Sequence, residues 1–348
     1  MSRPVPFCQM LSLSVLALAA CGETTTPTQP DIPDIAGSPE LAALSLAAAP
    51  NTWTERAGPM FDQYTGSYSI AMAPNSAGQS IVYTFGSVSG DDGTTGGGVQ
   101  AYNVSTNIWA FKNAVTRIHK PNGIGKIGSK LYFSGGYIEG GGLPDATREL
   151  WAYDYTKNVM IRKAPLPIFS AEGVSGVING KLYVLPGACN GNGYPNAGYC
   201  NEEQTRRFYR YDPGTNTWVT RRSAPNFHRR GAAVVLDGKL YVAGGMVGYN
   251  TPVAALDVYD PTTNTWRTLA PMPTGGVAAG AALQGKVYVV VGGQTYAYNP
   301  ATNQWNTRAA APSGGFGSVT RVTLDGKSYL FMATGIMPTG NRSWLYTP

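Results

Sequence analysis

Short apolar runs recur along the chain, each entered through a polar turn and left through glycine. LDGKLYVAGG (236–245), LQGKVYVVVGG (283–293) and IGSKLYFSGG (127–136) are the clearest copies. INGKLYVLPG (178–187) has Pro186 in place of the first glycine, LDGKSYLFMATG (324–335) keeps only the second, and the copy around Ile81 to Gly86 is weaker. Apolar runs this short, bounded by turn residues, read as buried strands. Glycine at their ends lets a strand stop against a crowded neighbour or adopt positive φ.

A second pattern follows each of these: an aromatic residue, a polar turn, then Trp. It reads YNVSTNIW from Tyr102, YDPGTNTW from Tyr211, YDPTTNTW from Tyr259 and YNPATNQW from Tyr298, with YDYTKNVM from Tyr153 placing Met160 where the others have Trp. The seven-residue spacing predicts two antiparallel strands around a tight turn, in which Asp, Asn or Pro starts the turn and Asn or Gly takes up backbone shapes other residues resist. Tyr and Trp then lie on neighbouring strands and pack between adjacent sheets.

Together the two patterns resemble the Kelch repeat, and the resemblance covers residues 51 to 348. It implies an all-β, six-bladed Kelch-type β-propeller. Trp109, Met160, Trp218, Trp266 and Trp305 anchor five blades. The sixth is split: the chain ends on Tyr346-Thr347-Pro348, the front of the turn motif, and the folded part begins with Asn51-Thr52-Trp53, its back. The C-terminus should therefore give three strands of the last blade and the residues around Trp53 its outermost strand, which leaves no open edge.

Composition fits a turn-rich β protein, with 44 Gly, 25 Pro and only 13% charged residues in 348. The net charge of +6 is scattered along the sequence, without the basic cluster that nucleic-acid binding requires. The N-terminus adds a different element. Arg3 precedes an apolar run, Met10 to Ala20, too short to span a bilayer and of signal-peptide length. Its end, Leu18-Ala19-Ala20-Cys21, resembles the bacterial lipobox. This implies a signal peptide over 1–20, a lipid on Cys21, and an exported lipoprotein whose only membrane contact is that anchor. Gly22 in place of an aspartate points to the outer membrane. Residues 21–50, rich in Thr, Pro and Ala, read as a flexible tether, and 51–348 as the propeller, expected to be monomeric.

The resemblance also implies a ligand face, built from the loops after the glycine pairs and those leading into each innermost strand. The post-glycine loops are uneven, and the longest (187–207) holds Cys189 and Cys200. In an exported chain this pair is expected to form a disulfide. Aligning the innermost strands places Lys120, Glu172 and Arg230 at matching positions, with His119 and Arg229 at another shared position and His228 beside them. Two readings stay open: a polar pocket in which Arg binds a carboxylate or sugar while Glu handles a proton, or structural ion pairs on a solvated rim.

No GxSxG, HExxH or phosphate-loop sequence appears. With His119 and His228 the only histidines, no metal and no cofactor are expected. Two function classes follow. One is an envelope-anchored module that binds a protein or glycan. The other, suggested by similarity in blade count and export to six-bladed sialic acid mutarotases, is a metal-independent sugar mutarotase or epimerase, with Glu172 and Arg230 as the candidate catalytic pair.

Overall fold

A computed structural model describes residues 49–59, 69–89, 95–116, 118–138, 145–188, 202–248, 251–312, 317–334 and 342–348. The signal segment, Cys21, nearly all of the tether, and both Cys189 and Cys200 lie outside these residues. Six four-stranded antiparallel sheets form the blades of a β-propeller. Their innermost strands are Ser69–Pro74, Ile124–Ile127, Val174–Ile178, Ala232–Leu236, Ala278–Leu283 and Gly317–Leu324, in blades 1 to 6. Apolar clusters between successive sheets form the core. One joins Val234 and Tyr241 of blade 4 to Val289 and Tyr298 of blade 5.

The polar turn does more than reverse the chain. In all six blades the Tyr hydroxyl donates to an Asn Oδ1 at 2.6–2.8 Å: Tyr102 to Asn107, Tyr153 to Asn158, Tyr211 to Asn216, Tyr259 to Asn264, Tyr298 to Asn303 and Tyr346 to Asn51. Each of these Asn residues has a positive φ between 53° and 61°, a conformation Asn tolerates better than most residues. Burial pushes the Tyr211 and Tyr346 hydroxyls up to about 12, so they remain protonated donors.

In five of the six, Asn107, Asn216, Asn264, Asn303 and Asn51, the same oxygen reaches across to the preceding blade. It accepts the backbone N–H of Ala57, Ala164, Arg222, Ala270 or Ala309 at 2.9–3.2 Å. Trp109, Trp218, Trp266 and Trp305 donate Nε1–H to the carbonyls of the first four of these residues. A motif local in sequence is thus a clamp between blades. The Met160 side chain has no N–H to give, so the blade 1–2 seam lacks the Trp half of the clamp.

Ring closure follows the split motif. Thr52–Arg56 pairs antiparallel with Arg342–Thr347, from Thr52 opposite Thr347 to Arg56 opposite Ser343. Asn51 donates its N–H to the Thr347 carbonyl at 2.8 Å, and Trp53 packs on Tyr346 with ring centroids 5.1 Å apart. From the other end of this strand, buried Arg56 donates to Tyr102 Oη at 3.0 Å and to the Val104 carbonyl at 2.9 Å, tying blade 6 to blade 1.

The glycine pairs mark crowding. A Cβ on Gly135 would stand 2.2 Å from the Ser170 carbonyl oxygen of the next blade. Inter-blade backbone contact at the strand ends therefore requires glycine, as the sequence pattern suggests.

Candidate functional site

The six innermost strands surround a cavity of ≈ 710 Å³ on the propeller axis. Most of its wall is small or apolar, including Gly125, Gly176, Val234, Ala281 and Val319. Lys120, Lys126, Glu172, Arg230 and Arg321 give it its charge. Lys120, Glu172 and Arg230 sit where the chain enters the innermost strands of blades 2, 3 and 4, at one mouth of the cavity.

Their backbone is unusual. Among described non-glycine residues with positive φ, the others belong to the Tyr–Asn turns or to the hairpins at Asn179, Asp237, Gln284 and Asp325; Lys120 (47°), Glu172 (57°) and Arg230 (58°) are the exceptions. Charged side chains at left-handed positions cost conformational energy, on the order of 1 kcal/mol each. Blade 5 has Gly276, with φ 139°, just before its innermost strand. The three residues are also linked through their backbones. Glu172 N–H donates to the Lys120 carbonyl at 3.3 Å, Arg230 N–H to the Glu172 carbonyl at 2.8 Å, and Ala278 N–H to the Arg230 carbonyl at 2.9 Å. Lys120→Gly should relieve the backbone cost, leaving stability within about 1 kcal/mol of wild type, while removing the Lys120 cation from the mouth. Thermal melts checked against anion affinity would test this; a large fall in melting temperature would contradict it.

Glu172 is the centre of the cluster. Its side chain is only 4% exposed. Arg229 donates Nε–H to Oε2 at 2.8 Å and a terminal N–H to the same oxygen, while Arg230 donates a terminal N–H to Oε1. Burial pushes the Glu172 carboxyl up, but the Arg230 and Arg229 guanidiniums outweigh it and hold the group below its ordinary range. Tyr137 feels the charge of this cluster. Burial, followed by the Glu172 charge, pushes its hydroxyl up to about 12, against the opposing pull of the two arginines.

The remaining candidates lie around this centre. Arg229 is not a wall residue; it also donates from a terminal nitrogen to the Gly248 carbonyl at 2.9 Å. The His119 backbone pairs with that of Tyr137 in a short strand contact. His228 is fully buried. Its Nδ1 donates to the Gly244 carbonyl at 2.8 Å, and its Nε2 lies 3.0 Å from Asp257 Oδ2. Asp257 also accepts from Asn226 and Thr268. Sequence reasoning missed two members of these networks. Tyr137 carried one usable signal, as the residue directly after the Gly135-Gly136 pair. Asp257 carried a weaker one, a carboxylate inside the apolar strand Leu256–Asp260.

Among the described residues, no group of three or more His, Cys, Asp or Glu could hold a metal ion. No described helix is long and apolar enough to cross a membrane.

A profile for the Kelch motif matches residues 229–273, which run from the mouth of the cavity through the whole of blade 4. An F-box/kelch-repeat protein of Arabidopsis thaliana is 33% identical over 134 residues, 36% of this chain and 44% of its own length. The Kelch-like protein terF of Aspergillus terreus is 25% identical over 180 residues, 49% of this chain and 38% of its own. The chain thus spans less than half the length of either relative. Among solved structures, YjhT superposes with a TM-score of 0.60 at 15% identity, covering 81% of this chain and 94% of that one. A fungal alcohol oxidase in complex with copper gives 0.57 at 14%, covering 85% and 76%. At these identities the likeness is one of fold. The described donors do not fit a copper site: both ring nitrogens of His228 are engaged by Gly244 and Asp257, with no His, Cys, Asp or Glu cluster to supply others.

Proposed function

We propose that this Kelch-type propeller is an exported binding module, held at the cell envelope by a lipid on Cys21, that takes a glycan or a protein group at the mouth of its axial cavity. The observation that carries this reading is the convergence of Lys120, Glu172 and Arg230 on that cavity, in backbone conformations that favour glycine. Binding is favoured over catalysis by the state of Glu172. Both its oxygens accept from guanidiniums, and its pKa is lowered by them despite burial. A carboxylate so engaged organises cations better than it carries protons.

A second reading has its own support. The same residues line a cavity large enough for a monosaccharide, and a phenol with an intact proton stands against Glu172. That suits a metal-independent sugar mutarotase or epimerase, in which one group removes a proton from a sugar hydroxyl and another returns one to the ring oxygen. A glycan array and a pull-down, both with the exported chain carrying Cys21→Ser, test the first reading. Binding of a glycan or protein that Arg230→Ala abolishes is the expected result. NMR exchange spectroscopy on any sugar bound tests the second. The module reading expects no acceleration of anomer exchange, whereas acceleration lost in Glu172→Gln would replace it with the enzyme.

A further inference from the structure

The two arginines on Glu172 are adjacent in sequence but differently placed. The Arg229 side chain is 10% exposed, is absent from the cavity wall, and spends three bonds on Glu172 Oε2 and the Gly248 carbonyl. The Arg230 side chain is 35% exposed, lines the cavity, and meets Glu172 on the other oxygen, Oε1. Arg229 approaches Glu172 from outside the wall; Arg230 approaches from within it.

We infer that Arg229 is the fixed arm of this cluster and Arg230 an exchanging arm, which leaves Glu172 to receive the carboxylate of a ligand. This rests on the binding role proposed for the mouth, and assigns the chemistry of the group bound there.

The exchange is balanced in charge and hydrogen bonds. A guanidinium offers planar paired donors that match any carboxylate. When the ligand carboxylate takes Arg230, one charge-assisted bond replaces another. Glu172 keeps both bonds from Arg229, so no buried charge is stranded, which would be costly. A neutral hydroxyl cannot make this trade, because it would break an ion pair without forming one. Glu172 thus acts as a resident competitor: it keeps Arg230 neutralised and oriented until an anion of matching shape arrives. Arg229 is a positioning residue, since it touches Glu172 and not the ligand.

Titration calorimetry with glucuronate and N-acetylneuraminate, against glucose and the methyl ester of N-acetylneuraminate, tests this. The acids should bind wild type and the neutral partners should not. Glu172→Gln, which keeps shape and removes the competing charge, should tighten acid binding several-fold, whereas a residue that contacts the ligand directly would weaken it. Arg230→Gln should weaken acid binding by about tenfold or more with little change in melting temperature. Arg230→Lys, which keeps the charge without the fork, should fall between. Arg229→Gln should chiefly lower the melting temperature. Weaker binding in a folded Glu172→Gln, or undiminished binding in Arg230→Gln, would overturn the exchange. Should Glu172→Gln fail to fold, the order of Arg230, Lys and Gln variants decides it. Equal binding of acids and neutral sugars would overturn the exchange while leaving a binding module intact. Failure of every probe would overturn carboxylate exchange, and the pull-down would then decide the binding role separately.

Discussion

Deleting residues 51–57 should abolish cooperative unfolding of the whole ring, read as loss of a sharp thermal transition by circular dichroism. The segment is seven residues at the edge of one blade, yet it holds both joints of that blade. On one side it supplies Asn51, which accepts from Tyr346 and Ala309, and Trp53, which packs on Tyr346. On the other it supplies Arg56, which bonds Tyr102 and Val104, and Ala57, whose N–H and C=O are gripped by Asn107 and Trp109. Its loss also uncovers the edge strand Arg342–Thr347, including Trp344, Leu345 and Tyr346, all now buried. Loss of a paired strand and two joints should remove on the order of 5 kcal/mol or more, comparable to the net stability of many domains. Asn51→Gly provides a milder comparison. It keeps the positive φ and removes the side-chain acceptor, so it should cost about 1–3 kcal/mol. An unchanged melting temperature in the deletion would show that closure does not depend on this strand.

Asp257→Ala should be the most destabilising single substitution near the site, by about 3–5 kcal/mol. The Asp257 and His228 side chains have no solvent exposure. Removing the carboxylate strands the buried His228 imidazole and takes an acceptor from half-buried Asn226 and exposed Thr268. Asp257→Asn should be milder, because one amide oxygen still accepts. Urea denaturation of the two variants would measure the difference. Equal, small losses would mean that the pocket around Asp257 is wet or easily rearranged. Because His228 precedes Arg229 and Arg230, the variants should also weaken whatever binds at the mouth.

The fold was legible because each blade carries its own anchors. Tyr259 and Trp266 are seven residues apart, and their rings lie 5.1 Å apart across a register that the turn between them sets. The split blade was legible for the same reason, since Asn51 and Trp53 complete a motif begun at Tyr346. The inter-blade half of that motif was not. The N–H that Asn107 accepts belongs to Ala57, and that of Asn264 to Arg222, and nothing near either Asn names its partner.

At the mouth, Lys120, Glu172 and Arg230 could be aligned because each precedes an innermost strand by a similar interval. Their left-handed backbone could not be foreseen, as none belongs to a residue type that favours it. Tyr137 feels the Glu172 charge from the neighbouring blade, a proximity set by the packing of blades 2 and 3 and by no local pattern. His228 was visible as one of two histidines. Its commitment to Asp257, 29 residues away, was not.

The strand that closes the ring also decides how the propeller bears load. A pull applied at Asn51 along the Thr52–Arg56 strand would load it parallel to its axis. The ladder with Arg342–Thr347 lies across that direction, since antiparallel hydrogen bonds stand perpendicular to their strands. The bonds are therefore strained together, in shear, and cannot be peeled one after another. Trp53 and Arg56 pin the same strand to its neighbours. Force entering at this end is shared at once by the last blade and by its seams, through Asn51 to Ala309 and through Arg56 to Tyr102.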